Sequence, residues 1–277
     1  MSIRLGEYLD RVRAEAPLIH NITNYVTVND CANILLACGA SPIMADDPAE
    51  AEDITALCGG LHLNIGTLNQ STIPAMLLAG RRSNALGHPV LLDPVGAGAS
   101  RLRTETAARL LAEVRFTAVR GNVSEIKALS SGSGSAKGVD ADLADAVTDD
   151  SLESAVRLAQ VFATRTGAVV AVTGAIDIVA DPTRACVIRN GHPIMARITG
   201  SGCMLSAMLA AYLTACPGAA FEAAVACVCA MGVCGEQAFD RVRRAGGGSG
   251  SFRAALLDVV YGLTAEQLEQ EARYAVQ

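Results

Sequence analysis

The sequence predicts an α/β protein built on one mostly parallel sheet with helices on both faces. Three observations carry that expectation. Helix start and stop signals alternate with β-rich runs along most of the chain. Several of those runs are almost continuously apolar, as strands covered on both faces must be. The 277 residues are 51% hydrophobic, which is ample material for a buried core. The expected organisation is a single domain over residues 1–277.

The chain opens on an amphipathic helix. Ile3, Leu5, Tyr8, Leu9 and Val12 share one face and charges occupy the other, which is not a signal-peptide pattern. Pro17 resets the backbone, and "LIHNI" reads as a short strand. A helix over 29–38 stops at Gly39, and "SPIMA" (41–45) forms the next strand. "PAEAEDITAL" starts a helix with Pro48 in its first turn. A strand over 61–66, a helix over Thr72–Leu86 and a strand ending at Asp93 follow. Next come a helix over 104–113, a strand ending near Arg120, a helix over 150–166 and a strand ending at Thr173. A hairpin, "DIVAD" to "ACVIRNG", precedes a mostly helical remainder. The apolar stretch 204–230 is split by Pro217-Gly218. Each half is shorter than the roughly 20 residues of a membrane span, so two buried helices are expected. Gly/Ser-rich stretches at 130–138 and 246–251 read as mobile loops.

Charge and cysteine usage narrow the function. Net charge is −6, with 22 basic and 28 acidic residues scattered along the chain. No basic block is long enough for a nucleic-acid footprint. The nine cysteines are odd in number, and most sit in apolar runs (Cys31, Cys38, Cys186, Cys227, Cys229, Cys234). That pattern reads as buried free thiols in a reducing compartment, hence a soluble cytoplasmic protein with no membrane partner. No Cys-x-x-Cys pair is present, which argues against structural zinc.

Ligands of open α/β sheets bind beyond the carboxyl ends of the strands, and four places there carry chemistry. The first is Asp93 in "DPVGAG" and the second is "RGNVSE", with Arg120, Asn122 and Glu125. The third is Thr173 in "VTG" and the fourth is the turn "TGSGC", Thr199 to Cys203, which opens an apolar helix. Gly200 and Gly202 let the backbone approach a ligand closely, and the N–H groups of a helix start favour an anion. Such a turn alone is equally a plain helix entry. Asp93 and Glu125 are candidates for Mg²⁺, which takes one or two carboxylates and keeps several waters. The alternatives are a turn-forming Asp before Pro94 and an exposed first-turn Glu under an Asn122 cap. Arg120 suits a phosphate clamp, or else a surface ion pair. No G-x-x-x-x-G-K-[ST] loop occurs, which excludes a Walker-type nucleotide site.

Cys203 has three readings: a packed core residue, a nucleophile, or a proton acceptor beside a phosphate. Its place at a helix start is expected to lower its pKa. A nucleophile needs a histidine partner, and none of His20, His62, His88 or His192 is near it in sequence.

Six stretches together resemble the hydroxyethylthiazole kinases: "PLIHNITNYVTVNDCANILLACGASPIMA", "LNIGTLN", "LLDPVGAGAS", "RGNVSEI", "VTG" and "NGHPIMARITGSGCMLSA". The similarity runs from about Pro17 to Ala211. It implies a ribokinase-like three-layer α/β/α sandwich. It implies phosphorylation of the primary alcohol of 5-(2-hydroxyethyl)-4-methylthiazole with Mg²⁺ and ATP, in thiamine salvage. It also implies a homotrimer with the thiazole site near a subunit boundary. On this resemblance Met44 and Gly200 match thiazole-contacting positions, and Arg120 and Thr173 match ATP-binding positions. Asp93 and Glu125 match the acidic groups near the metal. Cys203 matches the place where most of the wider superfamily has an aspartate base. Other small-alcohol kinases, a nucleotide-dependent dehydratase and a non-catalytic binding protein are the rival readings.

Overall fold

The computed structural model describes residues 3–131 and 147–277. Its centre is a nine-stranded sheet in the order β2-β1-β3-β4-β5-β6-β7-β8-β9. The first six in that order are parallel: β2 (Ser41–Met44), β1 (Leu18–Ile22), β3 (Gly60–Asn64), β4 (Val90–Asp93), β5 (Ala118–Asn122) and β6 (Val169–Thr173). The hairpin β7 (Asp177–Ala180) and β8 (Ala185–Ile188) and the last strand β9 (Tyr274–Val276) add on antiparallel. Strand β9 is an addition to the helical C-terminus read from the sequence. Three residues give too short a pattern to announce a strand, and β9 exists because β8 offers an edge.

Helices divide between the two faces. The helices α3 (Ala51–Leu57), α4 (Thr72–Leu86), α5 (Arg101–Glu113), α6 (Val123–Ser130) and α7 (Leu152–Thr166) cover one. The other is covered by α1 (Leu5–Glu15), α2 (Val28–Cys38), α8 (Ser201–Ala215), α9 (Ala220–Arg244), α10 (Ser249–Gly262) and α11 (Ala265–Glu271). Strand alternation follows: Leu61 and Leu63 join the first core and Leu91, Ala118 and Ala171 the second. This three-layer arrangement is the ribokinase-like sandwich that the resemblance implied.

Several boundaries differ from the sequence reading, each for a local reason. Helix α3 starts at Ala51 and not at Pro48, because the Asp47 carboxylate accepts from Ala49 N (2.8 Å) and closes a turn first. Helix α5 starts at Arg101, where the Ser100 hydroxyl oxygen accepts from Arg103 N. The Gly/Ser stretch 246–251 is not all loop, since α10 begins at Ser249. Most of the stretch 130–138 lies outside the described residues.

Pro217-Gly218 divides the apolar 204–230 segment into α8 and α9, as expected. Helix α9 is long and apolar enough to cross a membrane, but most of its apolar window is buried inside the protein. All nine cysteines are free and buried.

Candidate active site

The strand order changes direction around β1, where β2 lies on one side and β3 on the other. Such a switch opens a crevice at the carboxyl ends of the strands. Asn64 ends β3, Asp93 ends β4 and Thr173 ends β6, while Arg120 lies near the end of β5. Register pairs Asn64 with Asp93 directly. Arg120 and Thr173 follow Ala118 and Ala171 by two residues, so they project to the same face as those core alanines. On that face sits the start of α8.

Helix α8 starts where the glycine turn predicted. Gly200 caps it at φ +84°, a left-handed backbone that suits glycine. A Cβ on Gly200 would meet Thr27 Cγ2 at 2.5 Å, so the position is closed to side chains on two counts. The first intrahelical bond runs from Met204 N to the Gly200 carbonyl (2.8 Å). The N–H groups of Ser201, Gly202 and Cys203 therefore have no helix carbonyl to reach, and the dipole adds partial positive charge.

Arg120 stands beside this turn. Its side chain is 12% exposed, its Nη1 lies 3.7 Å from Asp93 Oδ2, and its Nη2 donates to Thr173 Oγ1. A Cβ on Gly202 would meet Nη1 at 2.5 Å, so the guanidinium rests against the glycine turn. The planar fork, the helix N–H groups and the Thr173 hydroxyl form a cradle for a tetrahedral anion.

Asp93 is fully buried. Its Oδ2 accepts from Asn64 Nδ2 (2.8 Å) and Ser206 Oγ (2.8 Å), whereas Oδ1 has no hydrogen-bond partner among the described residues. Burial raises its pKa to about 6; the Arg120 charge opposes that rise and the Glu125 charge adds to it. Glu125 is buried, not exposed as the simplest sequence reading had it. Its Oε2 accepts from Asn122 N and its Oε1 from Gly96 N, both at 2.8 Å. The Asn122 side chain accepts from Glu125 N in return, completing a capping box at the start of α6. The Glu125 carboxylate thus ties the loop after β4 to the turn after β5.

Cys203 is the third residue of α8, with its sulfur turned toward the strand ends. Asn64 Nδ2 donates to it at 3.2 Å and Asn24 Nδ2 at 3.4 Å. The expectation of a lowered pKa is overturned. Burial and the Asp93 charge push the thiol up, against hydrogen bonds from Thr27, Asn64 and Asn24. The helix start does not outweigh losing water next to a carboxylate. His62 is buried in the neighbouring strand β3, and its Nδ1 pairs with Asn21 Oδ1 (3.1 Å). Burial, assisted by the Arg120 charge, lowers its pKa to about 3, so it is neutral.

Asp93, Arg120, Glu125, Thr173, Gly200 and Cys203 therefore gather at one place. Met44 is set apart. It ends the edge strand β2 beside Asn21, half-buried against the core that contains Cys203, and takes no part in the polar network. Asn24, Asn64, Thr27 and Ser206 were not singled out by sequence reasoning. An asparagine near a turn reads as a turn former, and only the register with Asp93 reveals Asn64.

Comparison with known proteins agrees with this geometry. Residues 9–266 match the profile of the hydroxyethylthiazole kinase family. The chain is 58% identical over 270 residues to a hydroxyethylthiazole kinase of Clostridium acetobutylicum, covering 98% of each. It is 54% identical over 265 residues to one of Desulfovibrio desulfuricans, covering 92% of each. Among solved structures, a hydroxyethylthiazole kinase protein from Pyrococcus horikoshii OT3 superposes with a TM-score of 0.87 at 34% identity, covering 99% of this chain and 98% of that one. A pyridoxal kinase from Staphylococcus aureus, at 15% identity and a TM-score of 0.58, covers 79% of this chain and 87% of its own, and shares the fold. The polar strand ends, the glycine turn and the match along almost its whole length place this chain in the hydroxyethylthiazole kinase family.

Proposed function

We propose that residues 1–277 act as one domain that transfers the γ-phosphoryl group of ATP to the primary hydroxyl of 5-(2-hydroxyethyl)-4-methylthiazole, giving its monophosphate in thiamine salvage. The observation that carries the site assignment is the convergence of Arg120, Thr173 and the open N–H groups of α8 beside a buried carboxylate and a thiol.

Arg120 and the first turn of α8 hold the transferring phosphoryl group and neutralise charge that builds on its oxygens. Thr173 Oγ1 accepts from Arg120, which leaves its own proton free to donate to a phosphate oxygen. Gly200 keeps the approach open for the alcohol, and Met44 offers a polarisable apolar wall for a thiazole ring. Cys203, placed at the mouth of α8, accepts the proton of the alcohol as its oxygen attacks. In a loose transition state that proton leaves late, so base catalysis contributes less than phosphate stabilisation.

The acidic residues fit Mg²⁺. Among the described residues one oxygen of Asp93 is without a partner, and hard oxygen donors suit this ion. Glu125, with both oxygens engaged by backbone N–H groups, fits a role through water or through its charge. Held by Asp93 and supported by Glu125, the ion would supply positive charge against the negative charge of the phosphates.

Two further assignments belong to the same reading. The first is a homotrimer with the thiazole site at a subunit boundary. It is supported by Tyr25 (77% exposed) and Val26 (54% exposed), which lie between the buried Asn24 and Thr27. Apolar exposure of that size beside a site suits a partner surface. The second is a cytoplasmic location, supported by nine free buried thiols.

The test is product formation. The purified protein is incubated with Mg-ATP and hydroxyethylthiazole, with pyridoxal and hydroxymethylpyrimidine in parallel, and products are read by mass spectrometry. Thiazole monophosphate formed preferentially, and lost with EDTA, is the expected result. No phosphorylated alcohol from any of the three would overturn the reading.

A further inference from the structure

We propose that Asn24 and Asn64 are positioning residues for Cys203: their side-chain amides converge on its sulfur and hold it ready to take the alcohol proton. This rests on the reading of Cys203 as proton acceptor given above.

Each amide orientation is fixed by a backbone N–H, which can only donate. Asn64 Oδ1 accepts from Gly66 N (2.9 Å) and from Asn24 Nδ2 (3.0 Å). Asn24 Oδ1 accepts from Thr27 N (3.1 Å) and Thr27 Oγ1 (3.1 Å). A backbone N–H cannot accept, so neither amide can be turned over without losing its partner. Both Nδ2 groups must then face the sulfur, which they reach at 3.2 Å and 3.4 Å. Asn24 is 4% and Asn64 1% exposed, so these donors have given up water and depend on the sulfur, Asp93 and each other.

Two converging N–H donors favour S⁻ over S–H. The groups that face the sulfur from the surrounding elements act in both directions. Asp93 on β4 opposes the thiolate, and Cys31 on α2 directs its thiol to the Cys203 carbonyl oxygen (3.5 Å). Arg120 on β5 lies against Gly202, one residue away, and the Thr27 hydroxyl and the first N–H groups of α8 favour negative charge. With burial and Asp93 disfavouring S⁻, the Thr27 hydroxyl and the two amides are the side-chain donors that favour it.

The step they serve is balanced as follows. The alcohol oxygen bonds to the γ-phosphorus while its proton passes to S⁻. The bond from phosphorus to the bridging oxygen breaks, and ADP leaves with that electron pair. The resulting S–H then returns its proton to water.

Asn24 is the cleaner probe, because its Nδ2 touches the sulfur but has no contact with Asp93. Asn24→Ala removes the donor. Asn24→Asp keeps the shape and the acceptor for Thr27 but replaces the donor, so it reports on the same role if the alanine variant folds poorly. Both are made in the natural sequence and in Cys203→Ala. The readouts are kcat, KM for ATP and KM for hydroxyethylthiazole, across pH.

Either Asn24 variant in the natural sequence should lower kcat at neutral pH by about tenfold or more, as loss of a hydrogen bond to a charged acceptor does. Both KM values should hold within about threefold, and the deficit should shrink as pH rises and thiolate returns. In Cys203→Ala the same changes should alter kcat by less than about twofold. An equal fall in both backgrounds, or a raised KM with unchanged kcat, would overturn the positioning role. If Cys203→Ala alone keeps full turnover, the proton-acceptor reading fails and this proposal with it. If Cys203→Ala is slow but the Asn24 variants run at full rate, only the positioning role fails.

Discussion

The guanidinium of Arg120 rests against the α-carbon of Gly202, where a methyl group would meet Nη1 at 2.5 Å and Nη2 at 2.6 Å. The contact explains why the turn "TGSGC" needs its second glycine. Gly202 lies within α8 and is not among the glycines with positive φ, so alanine would fit the helix backbone. What alanine cannot do is leave Arg120 in place. Gly202→Ala gains up to about 1 kcal/mol of helix propensity, but it should lose stability overall, by about 1–2 kcal/mol, because the displaced Arg120 leaves Thr173 and the buried Asp93 without its hydrogen bond and charge. It should raise the KM for ATP by about tenfold and lower kcat, because the proposed phosphate clamp is displaced. Thermal melts and steady-state kinetics on one preparation check both halves.

Burial of the Asp93 carboxylate costs the folded state stability. Its pKa rises from the ordinary 3.8 to about 6, with burial as the chief cause. The folded state therefore holds the proton more tightly than the unfolded chain. Stability from this group is highest at acid pH, falls as pH rises from 3.8 to about 6, and stays reduced above that. A carboxamide at this position has no proton to lose in that range. Asp93→Asn should then stabilise the metal-free protein at pH 7 by about 1–3 kcal/mol and lose that advantage near pH 4. The same variant should abolish turnover. Urea denaturation at pH 4 and pH 7 in EDTA gives the comparison, and equal gains at both pH values would contradict the account.

Glu125 joins three pieces of backbone: Gly96, Asn122 and, through the Asn122 side chain, its own N–H. Glu125→Ala should cost about 1–2 kcal/mol through the lost capping box and the freed Gly96 N–H. Glu125→Gln keeps one acceptor, so it should cost less in a urea melt while still weakening Mg²⁺ dependence in the kinase assay.

The sequence alone located Asp93, Arg120, Thr173 and the glycine turn. Each stands where an apolar run stops or a helix starts, and such punctuation is local. The layers and the parallel order were legible for the same reason. The capping box at Asn122 and Glu125 could be named from spacing, but the burial of Glu125 could not, since it depends on the distant Gly96 loop. Asn24, Asn64 and Ser206 were invisible because their meaning is a matter of register: Asn64 matters through its neighbour Asp93 on the next strand. The pKa of Cys203 was misjudged for a related reason. Its helix position is local, whereas its burial and the Asp93 charge are tertiary. Strand β9 escaped because a three-residue edge strand is defined by its partner β8.

The exposed pair Tyr25 and Val26 tests the assembly. If this loop seats against a neighbouring subunit, Val26→Asp should dissociate the proposed homotrimer, because a charge in an apolar interface is left unpaired. Light scattering coupled to size exclusion reads the mass directly. A trimer that persists in the variant would move the boundary elsewhere.

The most direct test of the central claim is single-turnover phosphoryl transfer by Cys203→Ala compared with the natural sequence. In the proposed mechanism the thiol lies by the attacking hydroxyl, and Arg120 and the start of α8 supply most of the rate. Transfer by the variant should therefore slow by about 10- to 100-fold and still be measurable, with KM for ATP unchanged within about twofold. A rate within about twofold of the natural protein would show that Cys203 only packs, and would contradict the account.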